Sequence, residues 1–226
     1  AMQQNRKQKK WFLMGILIVA GLLTGAAGSS FLGKKSAQPL FCVTVRASAC
    51  TGQGVVYRQQ EEMFYIVTAG HVVDGLLEGQ GCRIEYGESG EGEARVLYRS
   101  ETADLAFLAM PAGEETKLQA VAVSREHFDA LTRGDRLWAA AWADGAMQKT
   151  EGELLDFWVY LEDFSLNMML AKMDCYAGMS GCAILEENEY FTGILCGVSE
   201  AGEAAVLPYS IIESEWIQMV ERGILK

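Results

Sequence analysis

From Leu40 onward the chain alternates short apolar runs with glycine-rich or acidic turns. The first set is LFCVTVRAS, GVVYRQ, MFYIVTA, CRIEYG, EARVLYR and LAFLAM. The second is LQAVAV, RLWAAAWA, EGELLDFWVYLE, NMMLAKMD, CAILE, YFTGILCGVS and AAVLPYS. These runs are rich in β-branched and aromatic residues and recur at short spacing. That pattern predicts an all-β fold of antiparallel barrels or sandwiches rather than βαβ units. PAGEETK, residues 111–117, separates the two sets, giving expected strand regions of about 41–112 and 116–210. The end, SIIESEWIQMVERGI, has apolar residues at 212, 216, 219 and 220, the spacing of one closing amphipathic helix over about 211–222.

The N-terminal region breaks this pattern. WFLMGILIVAGLLTGAAG, residues 11–28, carries no charge over eighteen positions. As a helix it would span about 27 Å, close to the hydrocarbon thickness of a bilayer. The basic stretch QNRKQKK precedes it, which places residues 1–10 in the cytoplasm and the rest outside. The expectation is a single transmembrane signal anchor over 11–28, followed by a polar linker over 29–40. Cleavage at GAAGSS would instead release a secreted chain.

Charge narrows the partners. The net charge is −11, and residues 1–40 hold six bases and no acid, so the remainder carries −17 (−11 less those six positive charges). Such a body repels phosphate backbones, which argues against nucleic acid as a partner. All six cysteines (Cys42, Cys50, Cys82, Cys175, Cys182 and Cys196) fall in the exported part, where disulfides are permitted and an even count suits them. No C-x-x-C pair exists and the two histidines lie in unrelated settings, so no metal site is expected.

Three local motifs carry the chemistry. In MFYIVTAGHVVDG, residues 63–75, His71 follows the end of a hydrophobic strand. In SETADLAFLAM, residues 100–110, Asp104 stands before another. In CYAGMSGCAIL, residues 175–185, Ser180 sits in a glycine-flanked turn. Singly, each has an ordinary reading as a core histidine, a turn acid and a turn serine.

In the order His, Asp, Ser, with TAGH, ADLAFL and GMSGCAI around them, the chain resembles the chymotrypsin-like, or trypsin-like, serine proteases. The likeness is closest to the compact bacterial HtrA/Deg branch. It spans about residues 40–226, with CTGQGVVY similar to the strand before the histidine and YFTGILCGVS to the strand lining the substrate cleft. The resemblance implies two six-stranded antiparallel barrels, His71 and Asp104 coming from the first and Ser180 from the second. It implies an endopeptidase acting on proteins or peptides with no cofactor, with His71 as base, Asp104 orienting it and Ser180 as nucleophile. The N–H groups of Gly178 and Ser180 would form the oxyanion hole. Asp174, six residues before Ser180, with Cys196 and Gly197, would border a specificity pocket.

Departures from the family leave a second reading open, a catalytically silent member that binds peptides or senses them at the cell surface. Met179 stands where digestive members have an aspartate that pairs with a newly cut N-terminus, so activation by propeptide removal is not expected. Cys182 and Ala183 replace the glycine and proline that usually follow. No PDZ domain is expected after the protease region.

Overall fold

The computed structural model describes residues 11–13, 40–113, 116–143 and 146–225. The basic tail, most of the expected anchor and the linker lie outside them. Six strands make the first barrel: β2 (Cys42–Arg46), β3 (Thr51–Gln60), β4 (Met63–Thr68), β5 (Gly81–Tyr86), β6 (Gly90–Arg99) and β7 (Ala106–Pro111). They close in the order β2-β3-β4-β7-β6-β5, every pair antiparallel. Six more make the second: β8 (Arg136–Ala143), β9 (Ala146–Leu161), β10 (Leu166–Met173), β11 (Ala183–Glu186), β12 (Phe191–Ser199) and β13 (Glu203–Pro208). Here the order is β12-β11-β8-β9-β10-β13, and pairing of β12 with β13 closes the ring. The two expected barrels are therefore present.

Alternation explains the strands that face solvent. Within β5, Cys82 and Ile84 point inward while Gly81 and Arg83 are exposed, as a period of two requires. β12 differs, being buried on both faces along nearly its whole length, because it closes one barrel while helix α2 (Tyr209–Glu221) packs against it. On α2, Trp216 meets Tyr57, Tyr65 and Phe107 of the first barrel edge-on, at 5.2–6.0 Å between ring centroids. This aromatic cluster fastens the closing helix to the first barrel.

Four expectations change. LQAVAV is not a strand. It crosses between the barrels as an extended strap, its Val121 N–H donating to Val56 O and its Ala122 O accepting from Phe191 N–H. Leu118 and Val121 are buried because the strap lies between two surfaces, not because it joins a ladder. A short helix, α1 (Arg125–Asp129), follows with Ser124 as its N-cap, a cap signal the strand-dominated pattern concealed. The six cysteines are thiols with no disulfide among them. Cys42 Sγ donates to Ala140 O at 3.3 Å and Cys196 Sγ lies 3.6 Å from Asp104 O, so these sulfurs serve as small, buried, weakly polar groups.

Finally, Trp11–Leu13, expected as the first turn of a transmembrane helix, forms an extended strand, β1, paired with β12. Among the described residues no helix is long and apolar enough to cross a membrane.

Candidate active site

His71 sits in a 3-10 turn, Gly70–Val73, directly after β4. Asp104 lies in the loop leading into β7, the strand that pairs with β4. Strand pairing thus brings together two residues 33 positions apart. The Asp104 carboxylate grips His71 twice: Oδ1 accepts the His71 backbone N–H at 2.8 Å, and Oδ2 lies 2.8 Å from Nδ1. A carboxylate can only accept from that nitrogen, so Nδ1 carries the proton and Nε2 is left as the acceptor of a neutral ring. Both side chains are shielded, at 8% and 14% exposure.

The Asp104 loop is itself held from the far end of the chain. Glu215 on α2 accepts from Tyr98 Oη at 2.6 Å, Ser100 Oγ at 2.9 Å and Thr102 Oγ1 at 3.2 Å. Burial, then the bond to Glu215, pushes the Tyr98 hydroxyl up to about 12, so it remains a donor.

Ser180 enters from the second barrel on the turn before β11. Gly181 has φ +85°, and a Cβ there would fall on Gln53 O and within 2.6 Å of Thr68 Oγ1. Only glycine lets this turn lie against the first barrel. Gln53 is the joint: its N–H donates to Ser180 O at 2.7 Å, its carbonyl accepts from Thr68 Oγ1 at 2.7 Å, and its Oε1 accepts Trp142 N–H at 2.7 Å. Gly178 has φ +93° in open space. Neither its N–H nor that of Ser180 is taken up by a backbone hydrogen bond among the described residues. Met179 is buried and closes the turn locally. Its N–H donates to Tyr176 O at 3.2 Å and its O accepts Cys182 N–H at 2.9 Å.

Two buried polar atoms in this region have no hydrogen-bond partner, His71 Nε2 and Ser180 Oγ. Clefts flank them on either side. One, of about 580 Å³, is lined by Arg46, Gln53, Trp142 and the Gly178 turn. The other, of about 310 Å³, is lined by His71, Asp104, Arg99 and Phe164.

The remaining expected site residues are spread out. Cys196 is fully buried under Asp104, its thiol pushed well up by burial and then by the carboxylate charge. Gly197 follows it on β12, opposite Leu13. Asp174 is exposed at the end of β10 and lines neither cleft. His127, which no motif marked as a site residue, stacks on Tyr190 at 4.1 Å, outside both clefts.

The sequence reading did not single out Gln53 or Glu215. CTGQGVVY marked the strand but not the polar side chain within it. Glu215 looks like any acid on an amphipathic helix until its burial is seen.

The family profile of the trypsin-like peptidase domain matches residues 52–194, well over half of the chain. The chain belongs to that family. The matched segment of this trypsin-like peptidase contains His71, Asp104 and Ser180. Among solved structures, the chain is similar in fold to Rv3671c from M. tuberculosis H37Rv, a serine-to-alanine mutant in an inactive form. The TM-score is 0.63 at 17% identity, covering 80% of this chain and 86% of that one. No curated protein matches the chain.

Proposed function

We propose that this trypsin-like peptidase is a serine endopeptidase working through His71, Asp104 and Ser180. One observation carries the reading: an imidazole already oriented by Asp104 and a serine hydroxyl on a glycine-flanked turn are both buried with unpartnered atoms. Leaving a buried polar group unsatisfied costs about 1–3 kcal/mol, a cost proteins retain at working sites.

The chemistry follows from the tautomer. Ser180 Oγ adds to the scissile carbonyl carbon while its proton passes to His71 Nε2. The new imidazolium is stabilised by Asp104, and the oxyanion is met by the Gly178 and Ser180 N–H groups. The C–N bond then breaks, the leaving amine takes the proton from Nε2, and an acyl ester remains on Ser180. Water, activated by the same nitrogen, hydrolyses that ester and restores the hydroxyl. Preorganised donors of this kind contribute ~3–4 kcal/mol each to transition-state stabilisation. Serine rather than cysteine chemistry is supported by the neighbouring thiols. Burial holds Cys182 and Cys196 protonated, and a protonated thiol is a poor nucleophile. The local bonds of Met179 support a turn formed without any newly cut N-terminus.

The uncharged stretch 11–28 after a basic flank supports membrane anchoring, with the peptidase on the extracytoplasmic side. The silent peptide-binding reading has one observation in its favour: no hydrogen bond joins His71 Nε2 to Ser180 Oγ. Apo sites often tighten that contact only when substrate binds.

A fluorophosphonate probe on the full chain tests the proposal. Mass spectrometry should find the adduct on Ser180 and none in Ser180→Ala. Absence of any adduct in a folded chain, even after prolonged exposure, would favour the silent reading.

A further inference from the structure

β12 has two sides. β13 covers one, from Gly193 to Val198. β11 covers the other, but only from Phe191 to Ile194, because the chain then turns away toward Ser180. The vacant stretch of that edge, Gly197–Ser199, begins one residue beyond Cys196, which lies under Asp104. β1 fills it, with Trp11 opposite Ser199, Phe12 opposite Val198 and Leu13 opposite Gly197, antiparallel.

The direction of β1 matters. From Trp11 to Leu13 it advances along β12 toward Leu195, whose carbonyl accepts the Gly181 N–H at 2.7 Å. Leu13 is opposite a residue two positions from Leu195, so about 7 Å of extended backbone separates it from the serine turn. A peptide cleaved at Ser180 would have to use this same edge if its acyl portion added a strand to the barrel. In the nearby site, His71 Nε2 and Ser180 Oγ are both buried and unpartnered.

We infer that Trp11–Leu13 is an intramolecular occupant of the substrate edge of β12, so that the chain closes its own cleft until this segment is withdrawn. The word substrate rests on the peptidase reading above. The pairing is one of backbone strands, which names the class of ligand that edge accepts: an extended peptide strand. Because Trp11–Leu13 opens the eighteen-residue uncharged stretch, lying on β12 and spanning a bilayer are mutually exclusive. Membrane insertion therefore frees the cleft, and the chain is latent before it is inserted.

The test uses the full chain with strand-breaking substitutions, Phe12→Pro in one variant and Trp11→Pro with Leu13→Pro in another. Together they remove a ladder N–H on either side of the strand. Hydrogen exchange is followed in a peptide spanning 195–200, in a Ser180→Ala background so that activity plays no part. Fluorophosphonate labelling is followed with Ser180 intact. The proposal expects about tenfold faster exchange at Gly197–Ser199 in at least one variant, from the loss of paired strand bonds, and about tenfold faster labelling of Ser180. Unchanged exchange in both variants overturns the docking. Faster exchange without faster labelling overturns the inhibition while leaving the strand in place. Faster exchange with no labelling in any form removes the peptidase reading, and the inhibitory role falls with it.

Discussion

His71 and Asp104 are held by polar bonds, whereas Ser180 is held by the shape of its backbone. One carboxylate fixes the histidine at two points, and Glu215 ties down the loop that carries the carboxylate. The serine hydroxyl has no such partner; two positive-φ glycines and the backbone bond to Gln53 place it. The difference fits the tasks proposed for these residues. A base must keep one tautomer and one orientation, which directional bonds supply. A nucleophile must keep its hydroxyl free, so only its backbone can be constrained.

The comparison can be broken most severely at the carboxylate. Asp104→Asn keeps the shape but offers an amide that can favour the wrong tautomer. kcat should fall by about 10⁴-fold with the fold intact, as steady-state kinetics and circular dichroism will show; a loss below about tenfold would mean His71 is oriented by other groups. On the serine side, Gly178→Ala meets open space and adds only the strain of a positive φ, about 1–2 kcal/mol. Activity should drop about 10²-fold through a displaced N–H, with a modest fall in Tm. Gly181→Ala adds a clash with Gln53 O and should cost stability first, seen as a much larger fall in Tm.

A smaller effect is expected one step removed from the chemistry. Glu215→Gln loosens the Asp104 loop without touching the imidazole. kcat should fall about tenfold with KM unchanged; equal changes in both, or none, would make Glu215 purely structural.

The smallest effect concerns the buried thiols. Cys182 and Cys196 are raised well above the ordinary thiol value, and Cys82 to about 11, chiefly by burial. The unfolded chain releases these protons above about pH 8.5 while the folded chain keeps them. Stability is therefore fully present below pH 8.5 and declines as pH rises. Urea midpoints should be lower at pH 9.5 than at pH 7.5, and Cys182→Ala should flatten that slope.

Much of this was legible in the chain. The strands of both barrels are written in short alternating runs, and α2 in its helical spacing. His71, Asp104 and Ser180 announced themselves because each needs a local setting, and local settings survive in sequence. LQAVAV misled because Leu118 and Val121, buried between the two barrels, leave the same apolar signature as residues buried in a ladder. The cysteines misled because an even count and an expected export permit disulfides without bringing sulfurs together. Trp158 is 52% exposed on β9, since alternation gives the faces of a strand but not which one the barrel turns inward.

By itself the sequence determined the strand content, the closing helix, the glycine turn around Ser180 and the family. Those depend on side-chain period and backbone freedom, which act over a few residues. Only the tertiary structure decided that Gln53 joins the barrels, that Glu215 reaches back 111 positions to the residue before β7 that matters most, Asp104, through its loop, and that β1 lies on β12. These contacts depend on which surfaces meet after folding, and a one-dimensional pattern carries no record of distance between residues far apart in the chain.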